Sequence, residues 1–305
     1  MVLLICLLIL LAAVFYYLYY ETFYSPHKDQ GEKLSIHPGS VYYPFRDRIT
    51  ESYQVLSSFS YEDCFTKSFD GLLLHARYLK GTPGMPLVIC CHGYRSAAFK
   101  DFCGGGPVLH DKGFSLLLID ERAHGQSEGH TISFGVNERQ DVLSWISYVN
   151  EHCGAETGIF LYGISMGAAT VLMASELSLP ENVKGILADC GYSSPQAIIR
   201  KVCTDRHVPV AMAPLIFLSA KVFGHFDPAA SEAVKAVRRS PVPIVILHGL
   251  SDDFVPHFMG DEIKNSAPEK ISLYKFPDAG HALCFMVDTE RYIGIVDSFI
   301  ASCLK

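Results

Sequence analysis

Three residues far apart in the chain have the types and neighbours needed for acyl transfer: Ser165, Asp252 and His281. Ser165 is the centre of Gly163-Ile164-Ser165-Met166-Gly167, between the apolar run Ile159–Tyr162 and a small, apolar stretch that predicts a helix. A serine on a sharp strand-to-helix turn needs small neighbours at i−2 and i+2, because the turn brings those backbones together. Its hydroxyl is then exposed beside the positive end of a helix. A serine hydroxyl is a weak nucleophile and needs a base that a third group holds in place. Downstream, His248-Gly249-Leu250-Ser251-Asp252-Asp253 and Asp278-Ala279-Gly280-His281 each follow an apolar run. They place a carboxylate and an imidazole after strands, in the order serine, acid, histidine. Asp252 and Asp253 compete for the role of acid. Asp252 is three residues past Gly249, the usual spacing for the acid, whereas Asp253 suits a cap on the next turn.

The same chemistry needs donors for a developing oxyanion. His92-Gly93-Tyr94 follows the run Leu87–Cys91. This position gives the backbone N–H of Tyr94 as one donor and that of Met166 as the other, each worth about 10²–10³ in rate. His92 itself reads as a structural hydrogen-bonding residue. The loop Asp120–Gly129 reads as scaffold, with Asp120 and Arg122 paired.

These residues need a frame that brings loop ends together. Ser60–Phe69 and Leu72–Lys80 flank Asp70-Gly71, a two-residue hairpin signal. Six short apolar runs follow: Leu87–Cys91, Ser115–Ile119, Gly158–Tyr162, Gly185–Ala188, Pro243–Leu247 and Ile271–Phe276. Runs without alternation suit strands buried on both faces of a parallel sheet. Between them, Asn137–Val149 puts Val142, Trp145, Ile146 and Val149 on one helical face, and Met166–Leu177 and Thr289–Leu304 also predict helices. The expected fold is α/β: a mostly parallel eight-stranded sheet with an antiparallel N-terminal hairpin and helices on both faces. From about 195 to 240 no strand-like run occurs, and three helical stretches read as a small cap over the site, whose Phe217, Phe223 and Phe226 suit an apolar acyl or alcohol group. The expected division is a transmembrane anchor at 1–22, a linker with a short helix at 23–59, and the α/β domain at 60–305.

At 305 residues the chain is long enough for one large α/β domain. A net charge of −7 without a Lys/Arg-rich stripe excludes nucleic acid as a partner. The first twenty residues carry no charge. About twenty apolar residues at ~1.5 Å each span the ~30 Å hydrocarbon core of a membrane. Tyr16, Tyr17, Tyr19, Tyr20 and Tyr24 gather at the end of this stretch, where amphipathic rings favour the interface. A cleaved signal peptide is the rival reading, but it lacks a basic leading region and a small-x-small cleavage site. Lys28, Lys33, Arg46 and Arg48 follow the span, which by the positive-inside rule places the domain in the cytosol. The layout of a bacterial surface signal-anchor places it outside, and the sequence leaves the side open. A chain starting near Lys33 is expected to fold, stay soluble and keep its activity. The ten cysteines read mostly as small buried hydrophobes, and no Cys or His grouping has zinc-ligand spacing.

Together with Asp189-Cys190-Gly191-Tyr192-Ser193 and Asp252-Asp253-Phe254-Val255-Pro256, these motifs resemble a Firmicute family of membrane-anchored α/β-hydrolases. That family is related to Bem46-type and serine aminopeptidase S33-like hydrolases. The resemblance covers roughly residues 50–304, with Gly163–Thr170 and Gly135–Val149 its most specific parts. It implies an α/β-hydrolase fold and esterase-like hydrolysis of a small-molecule ester, without metal or organic cofactor. Peptide cleavage of the aminopeptidase kind is the alternative activity. A hydrolase fold without activity, serving as a membrane-tethered binding module, is the alternative of another class. Cys103-Gly104-Gly105-Gly106-Pro107 departs from the pattern: it delays the first sheet-packing helix and is expected to loosen the oxyanion-side loop.

Overall fold

The computed structural model describes residues 1–25 and 34–305. Lys28, Lys33 and the part of the expected linker between Ser25 and Leu34 lie outside the described residues.

The apolar runs become eight strands: β1 Glu62–Lys67, β2 Leu73–Leu79, β3 Leu87–Cys91, β4 Ser115–Ile119, β5 Ile159–Ile164, β6 Val183–Asp189, β7 Ile244–Gly249 and β8 Ile271–Phe276. They form a sheet in the order β1-β2-β4-β3-β5-β6-β7-β8. It is antiparallel from β1 through β2 to β4, and parallel from β4 to β8. At the hairpin, Gly71 takes φ +93°, a conformation that costs glycine little, and Ser68 N–H donates to the Leu72 carbonyl at 2.9 Å.

Strand alternation explains why the runs are apolar throughout. On β3, Val88 and Cys90 join one apolar cluster, while Leu87, Ile89 and Cys91 join the other. Both faces therefore need cover. In chain order the helices are α1 Val2–Thr22, α2 Arg46–Ser58, α3 Ala98–Asp101, α4 Gly105–Asp111, α5 Glu138–Cys153, α6 Met166–Ala174, α7 Pro195–Asp205, α8 Ala213–Phe223, α9 Ala233–Ala236, α10 Phe258–Ser266, α11 Cys284–Val287 and α12 Thr289–Cys303. Trp145 of α5, Leu172 of α6 and Ile263 of α10 cover one face. Leu56 of α2, Leu109 of α4 and Val296 of α12 cover the other.

Two expectations about the periphery are corrected. The short helix expected within 23–59 is present as α2, but the described part, 34–59, packs on the domain instead of serving as a spacer. Ile49 and Leu56 of α2 are buried, and Arg48 Nη1 donates to the Met286 carbonyl at 2.8 Å. Nor does the 195–240 insertion place its phenylalanines over the site. Phe226 meets the Phe23 ring edge-on at 5.3 Å, Phe223 packs on Tyr16 and Tyr19, and Phe217 lies under the Arg200 guanidinium. The physical reason is the N-terminal helix, whose aromatic end competes for this apolar surface and takes it.

Residues 19–25 are built into the domain. Phe23 is 0% exposed, and Ser25 N–H and Ile132 N–H donate to the His130 and Phe23 carbonyls, both at 2.8 Å. The Tyr19 hydroxyl hydrogen-bonds Thr131 Oγ1 at 2.6 Å. Phe23→Ala should therefore cost about 3–5 kcal/mol, the range for a phenylalanine cut from a packed core. Urea unfolding of the full-length chain in detergent measures it. A chain beginning near Lys33 loses these contacts and bares Phe134 and Phe226, so it should aggregate or unfold early, contrary to the expectation from sequence.

Candidate active site

The turn after β5 is built from close backbone approach. A Cβ on Gly163 would sit 2.2 Å from the Gly167 carbonyl oxygen, and one on Gly167 only 1.8 Å from that of Cys91. Neither position tolerates a side chain, because the obstacle is backbone. Ser165 between them holds φ +56°, ψ −114°, a strained conformation that projects its side chain above the sheet. Ser165 N–H donates to the Asp189 carbonyl at 2.9 Å, which ties the turn to the end of β6.

Loops after β7 and β8 meet that turn. His281 Nδ1–H donates to Asp252 Oδ2 at 2.8 Å, and Ser165 Oγ–H donates to His281 Nε2 at 2.9 Å. Asp252 is buried, and its other oxygen, Oδ1, accepts from Phe254 N–H at 3.0 Å and Val255 N–H at 2.8 Å. The carboxylate is thus fully oriented with a single oxygen left for the imidazole. Phe254 stands edge-on to His281 at 5.0 Å. Asp253 is exposed, and its backbone carbonyl accepts from Lys201 Nζ. The structure brings Ser165, His281 and Asp252 into one chain of hydrogen bonds and leaves the Asp253 carboxylate out of it.

Gly93 backs onto the nucleophile: a Cβ there would lie 3.4 Å from Ser165 Cβ. Tyr94 and Ser165 line the same cavity. Met166 opens α6, where the first N–H groups have no acceptor within the helix. The 93–96 loop is held on three sides. Asp101 Oδ2 accepts from Gly93 N–H at 2.7 Å and its Oδ1 from Ser96 Oγ at 2.6 Å. His124 Nε2 accepts from Arg95 N–H at 3.0 Å, while its Nδ1–H donates to the Arg122 carbonyl at 2.9 Å. Burial and the neighbouring His92 push the His124 pKa down to about 3, so the ring stays neutral and keeps Nε2 as an acceptor. On the third side, Tyr94 OH donates to the Thr22 carbonyl at 2.9 Å, and Arg95 Nη2 to the Tyr24 carbonyl at 2.9 Å. The glycines at 104–106 do not loosen this loop. A Cβ on Gly104 would sit 2.5 Å from the Phe285 ring, so glycine lets α4 and the Phe285 ring approach closely.

A cavity of about 600 Å³ opens on Ser165 and His281. Leu34, Ile36, Val41, Ile49, Phe285 and Met286 give it apolar walls, with Asp101 and Asp189 among its polar lining. No residue of the 195–240 insertion lines it among the described residues. Asp189, at the end of β6, accepts from Tyr292 OH at 3.0 Å, and that hydroxyl also meets Tyr162 OH. Burial raises the Asp189 carboxyl from its ordinary 3.8 to about 6 against that hydrogen bond. A raised carboxyl binds more protons folded than unfolded between these values. Its contribution to stability is therefore complete below about pH 4 and is lost as pH rises to about 6. Asp189→Asn should flatten that interval, measured as the difference in urea midpoint between variant and wild type from pH 4 to 7.

The model of the alpha/beta hydrolase fold family matches residues 86–222, from the strand before the 93–96 loop to the end of α8. The Pyrococcus furiosus esterase Pf2001 superposes with a TM-score of 0.63 at 21% identity, covering 83% of this chain and 96% of that one. The chain has the α/β-hydrolase fold. In sequence, the chain is 22% identical to YqkD of Bacillus subtilis, an uncharacterized protein, over 70% of each chain. It is 24% identical to the thiohydrolase aneE of Aspergillus aculeatus, over 62% of this chain and 60% of that one.

Two features of the site are not evident from the sequence. Asp120 does not pair with Arg122. It accepts instead from His75 Nδ1–H at 2.7 Å, while Arg122 holds Asp141 at 2.6 Å and Asp70 at 3.0 Å. Asp101 and His124, which hold the 93–96 loop, carry no local signal, since their partners are fixed only by the fold.

Proposed function

We propose that the chain is a serine hydrolase that cleaves carboxylic esters through an acyl-enzyme, held at a membrane by α1. The observation that carries this reading is the pair of hydrogen bonds, 2.9 and 2.8 Å, linking Ser165 to His281 and His281 to buried Asp252. His281 Nε2 takes the proton as Ser165 Oγ attacks the ester carbonyl carbon. The oxyanion is held by the Tyr94 and Met166 N–H groups, and the proton passes to the leaving alkoxide as the acyl-enzyme forms. Water, deprotonated by His281, then attacks the acyl carbon and releases the acid. Asp252 stabilises the imidazolium without taking its proton.

An esterase among the structural relatives and a thiohydrolase among the sequence relatives support acyl transfer to water. The apolar cavity walls favour an acyl or alkyl group over the α-ammonium that an aminopeptidase must hold. The Asp101 carboxylate in that cavity is already engaged by Gly93 and Ser96. For the anchor, α1 is long and apolar enough to cross a membrane. Burial of its last turn supports retention over cleavage, because release would strip Phe23 from the core. A panel of p-nitrophenyl esters and aminoacyl-anilides tests the bond cleaved. The expected result is ester hydrolysis with negligible release of anilide; the reverse preference would make the enzyme a peptidase.

A further inference from the structure

The N-terminal helix leaves the domain from the same edge of the sheet that carries the active site. Its last turn is gripped by Tyr94 and Arg95 after β3, and by His130, Thr131 and Ile132 in the loop after β4. Helix α8, in the insertion after β6, packs beside it, with Phe223 at 5.4 Å from Tyr16 and 6.0 Å from Tyr19. Ser165, Asp252 and His281 follow β5, β7 and β8. Every one of these groups lies at the C-terminal ends of the parallel strands. Only the length of the Tyr94 side chain separates the helix end, at Thr22, from the backbone beside the nucleophile.

A helix of 21 residues at about 1.5 Å each crosses the ~30 Å hydrocarbon core, so its end at Thr22 marks the membrane surface. Helix α8 continues the apolar surface there. Leu218 and Val222 are 45% and 52% exposed, on the same helix whose Phe223 packs on Tyr16 and Tyr19 of α1. An apolar helix face at that depth suits burial at the headgroup–acyl boundary.

We propose that the catalytic edge of the sheet lies on the bilayer, with the outer face of α8 seated in the leaflet, and that the enzyme takes its ester substrate from the membrane. This rests on the reading of the site as an ester hydrolase and of α1 as an anchor. The substrate class is an ester whose acyl chain partitions into lipid, entering between the interface and the walls formed by Leu34, Ile36 and Val41.

The test uses full-length enzyme in phosphatidylcholine vesicles carrying a fluorogenic long-chain ester, 4-methylumbelliferyl oleate. Adding inert phosphatidylcholine at constant total ester should lower the rate in proportion to the surface mole fraction, about tenfold for a tenfold dilution. Hydrolysis of the water-soluble butyrate ester should stay unchanged through the same dilution. A rate on the oleate that follows bulk concentration alone would overturn the proposal. Leu218→Asp with Val222→Asp should lower vesicle-borne oleate hydrolysis by about tenfold, and butyrate hydrolysis far less. Equal loss on both substrates in a variant that still reacts fully with a fluorophosphonate would also count against it. If the wild type hydrolyses neither ester and takes no fluorophosphonate, the hydrolase reading itself fails, a result distinct from failure of the membrane route.

Discussion

Ser165→Ala is expected to lower turnover of a short-chain ester by on the order of 10⁶. Its members act as a unit: without the hydroxyl, His281 has no proton to take and the oxyanion donors have only slow attack by water to assist. The strained backbone at residue 165 is set by Gly163 and Gly167, whose close contacts are with backbone, so alanine should keep the turn and the urea midpoint. Progress curves on p-nitrophenyl butyrate with wild type and variant at matched concentration measure the ratio. A loss of only tenfold would mean that another group carries the reaction.

Asp252→Asn is the second large effect, with kcat expected to fall by about 10⁴. The geometry explains why the isosteric change is damaging. Asp252 Oδ1 already accepts from the Phe254 and Val255 N–H groups, so an asparagine keeps its oxygen there and turns its amide NH₂ toward His281. Nδ1 then becomes the acceptor, Nε2 carries the proton, and the base can no longer receive the serine proton. Asp253→Asn should cost far less, because that side chain is exposed and outside the hydrogen-bond chain. Comparing the two variants decides the acid: the larger loss in Asp253→Asn would reverse the assignment. The fold should survive both changes, with circular dichroism as the control.

What the sequence made legible was local. The non-alternating runs marked strands with helices on both sides, because a strand flanked by two apolar clusters has no polar face to display. Gly163 and Gly167 marked the turn at Ser165, because backbone contact excludes any Cβ. The order serine, acid, histidine, and the position of each after a strand, brought Ser165, Asp252 and His281 within view of one another. In the first 59 residues the helix at Val2–Thr22 and the one at Arg46–Ser58 were legible, but what they and their neighbours pack against was not. Tyr19 and Phe23 satisfy the requirements of a lipid-facing helix as readily as those of a core, and only the fold brings them to Phe134, Phe226 and Thr131. For the same reason the phenylalanines of the 195–240 insertion suited a cap in sequence but pack on α1 in the structure. The walls of the cavity come instead from the stretch read as a spacer, whose Leu34, Ile36 and Val41 form no periodic pattern. Pairings such as Arg122 with Asp141, 19 residues away on α5, are fixed only by the fold.

The central claim is that Ser165 is the nucleophile of a working triad. It is tested most directly by treating the full-length protein in detergent with a fluorophosphonate and mapping the adduct by peptide mass spectrometry. The expected result is one covalent adduct, on Ser165 alone, abolished in Ser165→Ala and strongly slowed in Asp252→Asn. An adduct on another residue, or no adduct on folded protein, would contradict the account.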